Sequence, residues 1–145
     1  MLHPSIYPLP SFLSGRVTQG QYCQWLDAKA KTLFKRDRKR GKAFAFKATE
    51  ALYKSLIHLA VVNSNGCDPY TGEKLAWELI STWTNVKPEH PERLEKKYAL
   101  LPTIDHCDPD VLEFEICSWR INTCKNYLTP KEFVALCKLV SLQRG

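Results

Sequence analysis

The chain has 145 residues, long enough for one domain to bury a core without disulfide or metal staples. It is 44% hydrophobic and 25% charged, which excludes wholesale disorder, and no apolar run approaches the roughly 18 residues that a membrane span requires. A net charge of +6 and a pI near 9.0 favour polyanionic partners, with nucleic acid ahead of a membrane surface.

The N-terminal stretch MLHPSIYPLPSFLSG has no basic start and is interrupted by Pro4, Pro8 and Pro10. It reads as an extended arm on the domain surface and not as a secretory leader. The six cysteines are therefore expected as free thiols in a cytoplasmic protein. No Cys-x-x-Cys pair occurs, so a zinc site would need an irregular ligand set, and structural zinc is not expected.

In chain order, Thr18-Gln19-Gly20-Gln21 fits a capping box. Tyr22, Trp25, Leu26, Leu33 and Phe34 then recur at helical spacing, predicting a helix from about Thr18 to Arg38 with Gly41 near its end. A second helix is expected from about Phe44 to Val62, with Leu52, Leu56, Ile57 and Ala60 on one face and Asn63–Gly66 as its stop. CDPYTGEKL, from Cys67, reads as a turn-rich loop, KLAWELISTW as a short helix, and His90-Pro91-Glu92 as the start of another reaching about Tyr98. ALLPTIDHC and VLEFEIC read as two short strands separated by the turn Asp108-Pro109-Asp110. A short helix from Ser118 to about Asn126 follows. Thr129-Pro130-Lys131-Glu132 then opens a final helix, whose apolar stripe is Phe133, Leu136, Cys137 and Val140.

The run LPTIDHCDP…VLEFEICSWRINTCKNYLTPKEF resembles the HNH, or ββα-metal, nuclease motif. That family carries Asp-His at the end of a first strand, then a second strand, then a short helix bearing Asn or His. Asn122-Thr123-Cys124-Lys125 followed by Leu128-Thr129-Pro130-Lys131-Glu132-Phe133 is similar to a common form of its tail. CDPYTGEKL resembles the Cys, Thr-Gly and Leu entry that many members have upstream. The resemblance covers about half the chain, from Cys67 to Val140. It implies an α+β fold, with N-terminal helices (1–66) packed on a C-terminal ββα-metal unit (67–145) that carries the final helix, in one domain.

The chemistry implied is hydrolysis of phosphodiester bonds in DNA, with RNA left open. His106 would be the general base, since histidine titrates near neutral pH. Asp105 and Asn122 would offer hard oxygen donors to one divalent ion, Mg²⁺ or Mn²⁺. Neighbours on a strand point to opposite faces, so Asp105 and His106 share a site only where the strand ends or bends. Asn122 and Lys125 share a helix face, which would set the lysine near the phosphate.

KRDRKRGK holds six cations: Lys35, Arg36, Arg38, Lys39, Arg40 and Lys42. It fits either a solvated helix end or a set of phosphate contacts. Trp25, Trp77, Trp83 and Trp119 read as core residues, and His58 as a packed histidine. The family's middle position, often Asn, falls on Glu113, and the paired Cys-x-x-Cys knuckles of zinc-stapled members are missing. These departures leave a second reading open: a nucleic-acid-binding module that keeps the fold without the chemistry.

Overall fold

A computed structural model describes residues 7–80 and 96–145. Helices come first and the strands follow: α1 (Gln19–Lys39), α2 (Ala43–Phe46), α3 (Glu50–Ser64), β1 (Pro102–His106), β2 (Phe114–Ser118), α4 (Trp119–Lys125) and α5 (Pro130–Arg144). Both predicted capping boxes form. Thr18 exchanges hydrogen bonds with Gln21 at the start of α1, and Thr129 with Glu132 at the start of α5, with Pro130 as the first helical residue.

The expected helix from Phe44 to Val62 is instead two helices. Thr49 has extended backbone angles (φ −123°, ψ 161°) and its hydroxyl caps the Leu52 N–H, so a new helix starts there. The buried face is also turned relative to expectation. Tyr53, Ile57, Ala60 and Val61 are buried, whereas Leu52 is exposed and Leu56 only partly covered. This helix is apolar on most sides, so periodicity alone does not select which stripe packs. Asn65 ends it in the left-handed conformation. Gly66 follows at φ +83°, where an added Cβ would lie 3.0 Å from the Phe12 ring.

The N-terminal arm, expected to lie extended on the surface, instead enters the core: it forms a 3₁₀ turn at Ser11–Leu13, Leu13 is buried, and Tyr7, Leu9 and Phe12 lie against the core. That core is formed by α1 crossing α3, with Trp77, Leu75 and the inner residues of the hairpin, Ile104, Phe114 and Ile116. Trp25 and Trp77 meet edge to face, Trp119 is half-buried, and Trp83 lies outside the described residues. KLAWELISTW supplies only a 3₁₀ turn at Trp77–Leu79 before the description stops. The helix expected from His90 falls mostly outside it.

β1 and β2 pair antiparallel, from Pro102 opposite Ser118 to His106 opposite Phe114. Asp108 forms the turn, its carboxylate accepting the Asp110 N–H. In α5 the expected stripe is only partly used. Phe133 is buried, while Leu136, Cys137 and Val140 are exposed.

The Cys67–Lys74 loop is held by the buried carboxylate of Asp68. One oxygen accepts the Tyr70 and Thr71 N–H groups and the other accepts the Ser118 N–H at 2.8 Å. An ion pair between Glu73 and Arg120 adds a second link from this loop to α4. Among the described residues no group of three or more His, Cys, Asp or Glu side chains is placed to hold a metal ion.

All six cysteines are free thiols. Burial pushes the Cys117 thiol up to about 12 and the Cys107 thiol up to about 11, so both stay protonated at neutral pH.

Two measurements check these local structures. Asp68→Ala strips three backbone donors of a charged acceptor and is expected to lower unfolding free energy in urea by about 3 kcal/mol; an unchanged midpoint would show that the loop is held by other contacts. Alkylation of the native protein at neutral pH is expected to modify exposed Cys124 and Cys137 first, and Cys117 only on unfolding. Early labelling of Cys117 would contradict its burial.

Candidate active site

The C-terminal half of α1, the end of β1, the turn after it and α4 enclose a cleft of about 550 Å³. Asp105, His106, Asn122 and Lys125 all line it, together with Arg36, Asp37, Arg40 and Lys42. Residues from two separate segments of the chain thus meet at one place.

Asp105 and His106 are adjacent at the end of β1, and strand alternation sends their side chains in different directions. Each meets a different helix. Asp105 turns toward α4, where its Oδ2 lies 2.8 Å from Lys125 Nζ. His106 turns toward α1, where its Nε2 lies 3.0 and 3.1 Å from the two oxygens of Asp37. The expected meeting of the pair at a strand bend therefore takes another form: they flank the cleft, each held from outside the hairpin.

Lys125 differs most from expectation. It is only 1% exposed and is bound to Asp105, so it does not stand free to meet a phosphate. Glu115 lies directly across the hairpin from Asp105. Burial pushes the Glu115 carboxyl up from its ordinary value, with Asp105 adding to the effect, while Lys125 opposes it. Facing carboxylates repel, and the lysine is the cation that offsets them.

Asn122 donates its amide N–H to the Thr103 hydroxyl at 3.2 Å, which leaves its amide oxygen as the atom it can offer the cleft. With the Asp105 oxygen that Lys125 does not hold, this makes two hard donors on one cleft. Such a set suits Mg²⁺ or Mn²⁺ when water and a phosphate oxygen complete the coordination.

Asp37 escaped the sequence reading. It sits within KRDRKRGK, yet it is 1% exposed and receives the Tyr53 hydroxyl on Oδ2 at 2.7 Å. The signal that could have found it is spacing: Leu26, Ala30, Leu33 and Asp37 continue the buried stripe of α1. An acid on that stripe must have partners. Burial and the Asp37 hydrogen bond raise the Tyr53 phenol above its ordinary range, so it remains a donor.

His106 packs between the Phe44 and Phe114 rings, and its Nδ1 is buried with no hydrogen-bond partner among the described residues. The cations of KRDRKRGK divide by face. Arg36, Arg40 and Lys42 border the cleft, Lys35 and Lys39 are exposed away from its lining, and the Arg38 guanidinium lies over Phe34 and Phe46. Glu113 is exposed and borders a separate, smaller hollow beside Cys107, so it takes no part in this cleft. His58 is packed as expected, with Nδ1 2.6 Å from the Tyr22 hydroxyl.

The Asp105–Lys125 pair can be tested by stability. Lys125→Met is expected to leave Asp105 without its cation and to cost about 3 kcal/mol in urea unfolding. A variant as stable as the native chain would show that solvent already neutralises Asp105.

Comparison with protein-family models, with curated proteins and with solved structures gives no match, so the chemistry of the cleft itself has to carry the functional reading.

Proposed function

We propose that the chain is a metal-dependent endonuclease of HNH type that hydrolyses phosphodiester bonds in DNA, built on a ββα-metal unit formed by β1, β2 and α4. The observation that carries this reading is the presence of Asp105, His106 and Asn122 on one cleft bordered by Arg36, Arg40 and Lys42. The cations would draw the DNA backbone to the cleft and neutralise its phosphates. His106 would then take a proton from a water molecule. The water oxygen forms the new bond to phosphorus, the bond to the 3′ oxygen opposite breaks, and that oxygen picks up a proton from solvent. The products would be a 5′-phosphate and a 3′-hydroxyl.

Asp105 and Asn122 would hold one Mg²⁺ or Mn²⁺, which supplies charge neutralisation at the scissile phosphate and the departing oxygen. Lys125 would serve by orienting Asp105. A cytoplasmic setting accords with this reading and rests on the six free thiols.

One observation favours a second reading, a nucleic-acid-binding module without activity. Asp105 is already engaged by a buried lysine, which competes with a metal ion for the same carboxylate. Plasmid nicking separates the two. With Mn²⁺ or Mg²⁺ the native chain is expected to nick supercoiled DNA and EDTA to stop it. His106→Ala is expected to lose nicking while retaining salt-sensitive DNA binding. Equal nicking by the variant would remove His106 as the base, and binding without nicking under either metal would establish the module.

A further inference from the structure

We propose that Asp37 is a positioning residue that holds His106 in the Nε2–H tautomer and so leaves Nδ1 as the nitrogen that can act as a base. The catalytic meaning of this inference rests on the nuclease reading above; the hydrogen-bond arrangement does not.

Both Asp37 oxygens face donors. Tyr53 donates its hydroxyl proton to Oδ2, and His106 Nε2 lies within hydrogen-bond distance of both oxygens. An ionised carboxylate only accepts, so the proton between Asp37 and His106 belongs to Nε2. In a neutral imidazole the other nitrogen then has no proton and can only accept. That nitrogen is buried and has no partner among the described residues. An orphaned buried acceptor costs about 1–3 kcal/mol, and a water meets Nδ1 only once the packing around the ring opens. Phe44 and Phe114 pack against the ring.

Tyr53 completes the arrangement. It comes from α3, Asp37 from α1 and His106 from β1, so the hydrogen-bonded chain runs through three elements. The tyrosine fixes the rotation of the carboxylate, and the carboxylate fixes the ring. Glu113, at the position where the resemblance would look for such an orienting residue, borders a different hollow. Orientation of the histidine has moved from the hairpin to the N-terminal helices.

The test reads the tautomer directly. Two-bond ¹H–¹⁵N spectra of metal-free protein, recorded at a pH above the ordinary histidine range, are expected to show His106 as the Nε2–H form. The signal is assigned by its loss in His106→Ala. In Asp37→Asn, Tyr53 keeps the amide oxygen and turns the amide NH₂ toward Nε2. His106 is therefore expected to switch to the Nδ1–H form. Nicking should fall about a hundredfold or more, the scale of general-base catalysis, with DNA affinity unchanged. Tyr53→Phe should give a smaller loss, about tenfold.

A native ring in the Nδ1–H form overturns the proposal without any variant, which covers the case in which Asp37→Asn fails to fold. Native-level nicking by Asp37→Asn also overturns it and leaves the nuclease reading intact. The expected tautomer switch in a protein that nicks with neither metal supports the positioning and removes the nuclease reading.

Discussion

The carboxylate of Asp37 lies almost fully out of solvent, where an isolated charge would be very costly. It is tolerated because two donors reach it, the Tyr53 hydroxyl from α3 and the His106 ring from the end of β1. Satisfying one buried charge therefore requires α1, α3 and the hairpin to be in register together. Tyr53 also packs its ring against Phe34 and Phe114, so the same side chain joins the apolar core to the polar chain. Low local dielectric strengthens each of these bonds and penalises any arrangement that leaves the charge alone.

The cleft takes its form from strand alternation. At the end of β1, consecutive side chains must diverge, and each finds a charged partner on a different helix: Asp37 on α1 for the histidine and Lys125 on α4 for the aspartate. The space between those helices becomes the cleft, with the guanidinium groups of Arg36 and Arg40 on one border. Arg36 and the C-cap residue Arg40 are one helical turn apart, hence on a common face, and Asp37 lies beside that face pointing inward. A run dense in positive charge thus serves two roles at once, cations to the cleft and a single acid to the interior.

The small hairpin unit needs support, since two strands and a seven-residue helix bury little by themselves. Paired cysteines around a metal ion are one way to supply it. Here the Cys67–Lys74 loop is tied to the end of β2 by the Asp68 carboxylate, and α3 packs across β2. Hydrogen bonds to a buried carboxylate do for this loop what metal ligation would do elsewhere. They do so without reactive thiolates, in keeping with the raised pKa of Cys117 next to that junction.

Local chemistry was legible in the sequence. Thr18, Thr129 and Pro130 announce helix starts because capping involves residues only three apart. Alternation around Ile104 and Ile116 marks the strands, and Asp108 marks the turn. Ile57 and Ala60 of the expected α3 stripe are buried, but Leu52 is exposed and Tyr53 takes a core place, because an all-round apolar helix has no preferred face until something packs on it. The break at Thr49 was missed because a threonine followed by helix formers is equally acceptable inside a helix. By itself the sequence determined the element order, the caps, the thiols' freedom and the grouping of Asp105, His106, Asn122 and Lys125 on the hairpin and its helix. Only the tertiary structure decided that Lys125 belongs to Asp105, that Glu113 stands apart, and that Asp37 reaches His106. The two pairings join buried groups far apart in the chain, and a buried charge selects its partner by proximity in the folded core.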